Sequence, residues 1–172
     1  MRKMMIAMFI ASIGLFTSCD KCKKADCQNG ATCEKKVGDC ECATFYEGDK
    51  CENEVRAAFS GTYSGTAKLG TSTLPTSIAV SNGSGVSGLT FTATITTPSG
   101  STIYNVTGTL TDNTNFTIPA QSVPFTLSPD PRDVSAMMSG SGTLTGSSAN
   151  ATLNFKLNAS QINLTAQFSG SK

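Results

Sequence analysis

The sequence contains no histidine and no tryptophan. Histidine is the commonest general base and the commonest metal ligand, so a serine or cysteine nucleophile here would have no ordinary base partner. The sequence also shows no phosphate-binding glycine loop and no dinucleotide-binding fingerprint. We therefore expect a protein that is not an enzyme, with no catalytic residue and no cofactor.

Charge is scarce in the later part of the chain, and cysteine is absent after Cys51. The charged residues that follow residue 56 are Lys68, Asp112, Asp130, Arg132, Asp133, Lys156 and Lys172. The net charge of +1 argues against an electrostatic nucleic-acid binder, so we expect no nucleic-acid partner. The change of composition near residue 56 predicts a small N-terminal module followed by one larger domain.

The first 18 residues have the layout of a signal peptide. Arg2 and Lys3 provide a basic start, and Met4–Phe16 is an apolar run. The run is shorter than the roughly 20 residues that a membrane-spanning helix needs. A buried core helix is the alternative interpretation of this segment.

Cys19 follows directly after the predicted signal peptide. Residues 15–19, LFTSC, resemble the lipobox of bacterial lipoproteins of the Bacteroidetes type, which implies that Cys19 is lipidated and becomes the mature N-terminus. The cysteine count of seven is odd, so one cysteine is left over when the others pair. We expect an acylated Cys19, with residues 19–21 as a membrane tether; ordinary cleavage with a free Cys19 thiol is the alternative.

Six closely spaced cysteines lie between residues 22 and 51. An exported segment this short cannot build an adequate apolar core, so disulfides are expected to stabilise it. Spacing alone leaves fifteen possible pairings. A zinc site is the competing interpretation, but zinc sites favour C-x2–4-C pairs, often with histidine, and we expect no metal.

The cysteine spacing resembles that of an epidermal-growth-factor-like (EGF-like) domain. Residues 27–33, CQNGATC, are similar to the family's C-x-N-G-G-T-C loop, and Cys40–Cys51 matches its C-x-C-x5-G-x2-C ending, with Phe45 where glycine is common. The acidic run that calcium-binding members carry before the first cysteine is missing. The resemblance therefore implies a calcium-free module around a small two-stranded hairpin. It also implies the disulfides Cys22–Cys33, Cys27–Cys40 and Cys42–Cys51.

After a short polar connector, residues 52–58, the segment 59–172 shows repeated alternation of apolar and polar residues. This period of two predicts half-buried antiparallel strands. The clearest inward-facing series are at 59–69, 89–95, 104–110, 136–144, 153–157 and 162–168. Shorter candidates lie at 78–80, 116–118 and 123–127.

Short turn sequences separate these runs, which favours a meander. We expect a mainly β protein whose 59–172 domain closes into an up-and-down barrel of eight or nine strands, with an open β-sandwich as the alternative. Pro124, Pro129 and Pro131 predict an edge strand or an irregular crossing in their segment.

Glycines recur at predicted inward positions, namely 61, 65, 108, 140 and 142. Small residues there would leave an internal cavity, or else they would permit the strong bending that a small barrel needs. Residues 59–66, FSGTYSGT, resemble the first strand of lipocalin-like (calycin-like) domains in Bacteroidetes lipoproteins. That resemblance implies a lipocalin-like barrel fold for the β domain.

These features together predict an envelope lipoprotein of the bacterial outer membrane, facing either the periplasm or the cell surface. The absence of an inward polar group favours a non-catalytic surface interaction or structural module with a cell-surface partner. Binding of a small apolar ligand inside the β domain is the alternative function.

Overall fold

The computed structural model describes residues 21–98, 100–125 and 134–172. Its short elements are two 3-10 helices, Lys21–Lys24 and Val55–Phe59, and four two-residue strands, β1 Thr32–Cys33, β2 Cys40–Glu41, β3 Tyr46–Glu47 and β4 Asn53–Glu54. Eight long strands follow: β5 Gly61–Leu69, β6 Ser72–Asn82, β7 Gly88–Thr97, β8 Gly100–Leu110, β9 Asn115–Pro124, β10 Ser135–Leu144, β11 Ser148–Leu157 and β12 Asn163–Ser171. Within these ranges no helix is long and apolar enough to cross a membrane.

The eight long strands form a closed antiparallel barrel. Each strand pairs with its neighbours in sequence, and β12 pairs with β5 to close the barrel. Closure satisfies the backbone groups that an open sheet would leave exposed at its edges. The predicted mainly β fold and the up-and-down barrel are therefore confirmed, and the alternative sandwich is not formed.

The inward-facing residues of the barrel form one apolar core. In β8, Tyr104 and Val106 are buried while Asn105 and Thr107 are exposed, as the alternation predicts. Burying each large apolar side chain contributes about 1.5–3 kcal/mol relative to leaving it in water. The hydrophobic effect along eight strands is thus what fixes the register of the barrel.

β6 is longer than the segment 78–80 that the alternation predicted. Pro75, in the first half of the strand, interrupts the sequence pattern there. Pro75 pairs with Thr66 of β5, whereas the ladder between β6 and β7 begins only at Thr76. The missing N–H of Pro75 therefore removes no bond from the β6–β7 ladder. A strand thus starts at Ser72 and continues through a residue type that normally marks a strand end.

β9 is the strand that comes closest to an edge. It pairs with β8 at only two positions, Thr109–Thr117 and Leu110–Phe116. Pro124 ends β9 and pairs with Ser135 of β10, but it lies beyond the β8–β9 ladder, so this part of β9 is paired on one side only, as the edge-strand prediction requires. Pro129 and Pro131 lie outside the described residues.

The N-terminal part of the structure, residues 21–54, is held by three disulfides, and we call it the cysteine module. The bonded pairs are Cys22–Cys33, Cys27–Cys40 and Cys42–Cys51, the same pairs that the EGF-like resemblance implies. β1 and β2 form a two-stranded hairpin, and β3 pairs with β4. Cys19 and the predicted signal peptide lie outside the described residues.

Residues 52–58, expected to be a linker, are part of both units. Asn53 and Glu54 form β4 of the cysteine module, and the 3-10 helix Val55–Phe59 follows without a break. Val55 and Phe59 are both buried in the core of the barrel. The cysteine module and the barrel are therefore joined by packed structure and not by a free connector.

Candidate functional site

The interior of the barrel contains a cavity of about 60 Å³. Alanines contribute much of its wall, where larger side chains would fill the space; they are Ala67, Ala93, Ala149, Ala151 and Ala166. Phe91, Phe116, Phe155 and Phe168 also line it. No charged side chain of the described residues lines this cavity.

Two lining residues with hydroxyl groups, Thr76 and Tyr104, are almost fully buried. The hydroxyl of Thr76 donates a hydrogen bond to the carbonyl oxygen of Leu74, 3.1 Å away, so its polar atom is satisfied by the protein. A cavity with such walls suits a neutral apolar group, because a charge placed there would lose its hydration without gaining a partner.

The inward glycines of the sequence do not line the cavity. A Cβ atom on Gly65 would collide with the backbone oxygen of Ser169, and one on Gly142 would collide with that of Asn150. These glycines therefore permit close approach of neighbouring strands, as the bending interpretation requires. The free space comes from alanines that the sequence analysis did not single out.

One end of the barrel, where β5, β7, β9 and β11 begin, is covered by the helix Val55–Phe59, and we call it the sealed end. Tyr63 is fully buried beneath this helix. Its hydroxyl lies 3.1 Å from the carbonyl oxygen of Phe59 and 3.0 Å from that of Thr145, and it can donate to either. Burial raises the pKa of Tyr63, because the charged form would lose its hydration.

Charged side chains fasten the covering helix at two further points. The guanidinium of Arg56 donates to the carbonyl oxygens of Gly83 (2.9 Å) and Gly85 in the turn between β6 and β7, and to that of Gly88 (3.3 Å) at the start of β7. The ammonium of Lys172 donates to the carbonyl oxygen of Ala58 at 2.8 Å. The helix is thus held by hydrogen bonds to the β6–β7 region on one side of β5 and to Lys172, after β12, on the other side.

Phe45 links the cysteine module to the sealed end. Its backbone N–H donates to the side-chain oxygen of Asn113, in the turn between β8 and β9, at 3.1 Å, and its ring packs against the barrel core. Phe45 has a φ of 73°, in the left-handed region that favours glycine. The aromatic residue that departs from the EGF-like pattern is therefore a contact with the barrel.

The opposite end, where β6, β8, β10 and β12 begin, is the distal rim. Leu69, Leu74 and Ile95 lie there, partly buried, and they also line the cavity. Val134 and Ile162, at the starts of β10 and β12, are 68% and 52% exposed. The apolar surface of the cavity therefore continues onto this rim.

The described residues include no group of three or more His, Cys, Asp or Glu side chains placed to hold a metal ion. The six paired cysteines lie in the cysteine module, outside the cavity wall. The sequence analysis gave the disulfide pairs that the EGF-like resemblance implies and placed Ala67, Ala93 and Ala166 inside the barrel, but it did not identify them as the source of the cavity.

No protein-family model matches the chain, and no curated protein matches it. Among solved structures, the chain is similar to EF1p2_mFAP2b bound to DFHBI, with a TM-score of 0.52 and 11% identity, over 69% of this chain and 98% of that chain. A Bacteroides fragilis protein, described as a candidate outer membrane protein, gives a TM-score of 0.44 and 26% identity, over 69% of this chain and 52% of that protein. The chain thus spans about half the length of the second protein, and the first likeness supports the barrel fold.

Proposed function

We propose that this protein is a non-catalytic, exported binder of a small apolar ligand, which the barrel holds in its interior. The observation that carries the proposal is the cavity, which has apolar walls, is covered at the sealed end, and continues onto apolar side chains at the distal rim. A closed barrel with a fully packed core would also have apolar inward residues and a covered end, but it would have no such unfilled space.

The size of the cavity defines the class of ligand. A volume of about 60 Å³ is far below the 300–1,000 Å³ of sites for drug-sized molecules. The cavity is also smaller than the cavity of about 150 Å³ that holds benzene in an engineered protein core, so it suits the end of an alkyl chain, with the remainder of the molecule at the distal rim. Met138, an unbranched and adaptable side chain in the wall, can change rotamer to enlarge the space.

The similar structure with the higher TM-score supports this proposal by analogy. EF1p2_mFAP2b is bound to DFHBI in that structure, so a barrel of the same fold holds a small ligand. The lipocalin-like resemblance of residues 59–66 supports the same barrel fold.

The proposal places the protein outside the cytoplasm. Three disulfides in one small module indicate an oxidising compartment, extracellular or periplasmic. We further propose that Cys19 is acylated and anchors the chain to membrane lipid of the bacterial outer membrane, and that the cysteine module is EGF-like. The lipobox-like residues 15–19 and the disulfide pairing support these two assignments.

Ligand binding is tested by native mass spectrometry of gently extracted protein and by titration with a fluorescent apolar probe. Ala93 lines the cavity, so Ala93→Leu is expected to fill it and to weaken probe binding at least tenfold. Ala79 lies on the exposed face of β6, and Ala79→Leu is the matched control that keeps wild-type binding. Equal probe binding by both variants and the wild type would contradict an internal site.

The lipid anchor is tested by metabolic labelling with a fatty acid in a bacterial host. The wild-type chain is expected to take up label, and Cys19→Ser is expected to take up none. Equal labelling of the two chains would show that acylation does not occur at this residue.

A surface interaction or structural module is the second candidate function. The observation in its favour is the attachment of the cysteine module to the sealed end through Phe45 and the helix Val55–Phe59, which makes that module a rigid stalk for the barrel. Digestion of whole cells with protease is the test, since a chain that is fully protected until the cells are permeabilised cannot act at the surface.

A further inference from the structure

A second concave surface lies on the outside of the barrel, across β9, β10, β11, β12 and β5. Its volume is about 650 Å³, and we call it the outer groove. Two rows of outward-facing residues form it, each row following the register of the five strands. The first row is Thr117, Ser141, Thr152, Gln167 and Lys68, and the second is Asn115, Thr143, Asn150, Ser169 and Thr66.

The groove is concave because the inward residues between these two rows are mostly small. They are Phe116, Gly142, Ala151, Phe168 and Ala67, one from each strand. Glycine or alanine on three of the five strands lets the barrel wall between the two rows lie closer to the barrel axis. Gly142 is tightly packed there, since a Cβ atom on it would collide with the backbone of β11. Small inward residues thus shape a depression on the outer surface.

The chemistry of the outer groove is polar and nearly uncharged. Among its lining residues Lys68 carries the one charge, and there is no carboxylate. Its polar side chains are hydroxyls and amides, which both donate and accept hydrogen bonds. Phe116 and Phe168 are buried, so the groove exposes no aromatic ring, and the apolar part of its surface lies between the hydroxyl and amide groups.

The polar side chains in the groove are available to a ligand. Elsewhere on the outer face, outward residues pair with each other, as Thr92 does with Asn105 (2.8 Å) and Thr165 with Asn154 (3.1 Å). In the groove, Asn115 donates to Asp112, whereas Asn150 and Gln167 make no side-chain hydrogen bond within the described residues. Two amides therefore face the groove with their donors and acceptors open to solvent.

We propose that the outer groove binds a neutral glycan chain. The two rows span about 19 Å across five strands at about 4.8 Å per strand, which suits an extended chain that offers hydroxyl groups at regular intervals. An extended peptide is disfavoured on β10, β11, β12 and β5, which are paired along both sides, and the unpaired side of β9 beyond Thr117 faces β8, away from the groove. The groove lies on the outside of the wall whose inner side lines the cavity, so Phe116, Asn150, Ala151 and Phe168 border both sites. The glycan proposal does not depend on an apolar ligand.

The experiment is native affinity electrophoresis of the purified disulfide-bonded protein in gels that contain dextran, a soluble β-glucan or heparin. The wild type is expected to be retarded by at least one of the two neutral polysaccharides. Asn150→Ala and Gln167→Ala are each expected to weaken that binding about threefold to tenfold, the value of one neutral hydrogen bond. Asn154→Ala, on the same strand but outside the groove, is the matched control and is expected to bind as the wild type does.

Thermal unfolding of each variant shows whether the fold is retained, and these exposed positions are expected to tolerate alanine. Three results would overturn the proposal. They are the absence of retardation by both neutral polysaccharides, retardation by heparin alone with its loss in Lys68→Ala, and equal weakening by Asn154→Ala and Asn150→Ala.

Discussion

The side-chain amide of Gln121 pairs with both backbone groups of Thr107. Its oxygen accepts from the N–H of Thr107 at 3.1 Å, and its nitrogen donates to the carbonyl oxygen of Thr107 at 2.8 Å. This bidentate contact lies where the backbone ladder between β8 and β9 has ended, because that ladder is restricted to two residue pairs. A side chain thus takes the place of a strand backbone at the weakest join of the barrel.

We expect Gln121→Ala to destabilise the barrel by about 1–2 kcal/mol, since two hydrogen bonds are lost and water replaces them in part. Urea unfolding measures the change as a lower midpoint with an unchanged slope. Gln167→Ala, which removes an exposed amide that makes no hydrogen bond within the described residues, is expected to change stability by less than about 0.5 kcal/mol. Equal midpoints for Gln121→Ala and the wild type would mean that the contact contributes nothing to closure.

Tyr63 makes the stability of the barrel sensitive to alkaline pH. Its pKa is raised by burial above the ordinary value of 10.0, so folding favours the protonated form. The stability that this preference contributes is fully present below pH 10 and is lost as the pH rises through the raised pKa. We expect the unfolding midpoint of the wild type to fall above about pH 10 more steeply than that of Tyr63→Phe.

At neutral pH, Tyr63→Phe is expected to cost about 1–2 kcal/mol, because the carbonyl oxygens of Phe59 and Thr145 lose a buried donor. Urea titrations of both proteins between about pH 8 and pH 11 provide the measurement. Parallel curves for the two proteins across this range would rule out the titration of Tyr63 as a cause of alkaline destabilisation.

Asp112 is expected to give the opposite dependence at acid pH. The side-chain amide of Asn115, the backbone N–H groups of Asn115 and Thr114, and the hydroxyl of Thr114 all donate to its carboxylate, and they lower its pKa from 3.8 to about 2. Its contribution to stability is therefore present above pH 3.8 and is lost as the pH falls through about 2.

NMR titration of Asp112 is the direct measurement of this effect. We expect Asn115→Ala to raise the pKa of Asp112 toward 3.8, because the largest of the lowering contributions is removed. Asp112→Asn keeps an oxygen acceptor but cannot titrate, so it should lose less stability than the wild type between pH 3.8 and about 2. An unchanged pKa in Asn115→Ala would contradict the assignment.

Phe59 is expected to be the residue of the covering helix on which stability depends most. It is 4% exposed and belongs to the barrel core, so Phe59→Ala should cost about 3–5 kcal/mol through lost burial and the space left behind. Val37, 51% exposed in the cysteine module, offers a control, since Val37→Ala should change stability by less than about 0.5 kcal/mol. A loss of less than about 1 kcal/mol in Phe59→Ala would show that the helix is not an integral part of the core.

The sequence predicted the barrel because alternation is a property of many residues at once. In β8, every second residue from Tyr104 to Leu110 is apolar or small, and a register with those residues outside would expose them all. Pro75 and the weak alternation near it hid the first half of β6, whose neighbour β7 does not pair with that region. The residue at which two paired strands stop sharing hydrogen bonds is set by tertiary structure, and no pattern in the neighbouring sequence indicates it.

The residues that shape the sites were harder to predict, because each is a single residue with an ordinary surface explanation. Gln121 is a residue type that is common on exposed strand faces, and its role arises only because the backbone ladder between β8 and β9 ends early. Phe45 appeared only as a departure from a family pattern, although its ring packs on the barrel. Val55 and Phe59 are too few to produce a periodic signal within a five-residue helix.

The closing pair of the barrel has a consequence for the order of folding. β5 follows the cysteine module directly, whereas its partner β12 is the last strand of the chain to be made. Until β12 has been synthesised, β5 and the helix Val55–Phe59 lack one of their neighbours. Pairing β5 with β12 joins residues far apart in sequence, so it carries a high entropic cost. The cysteine module can form its disulfides early, while the barrel must remain an incomplete sheet until β12 has emerged.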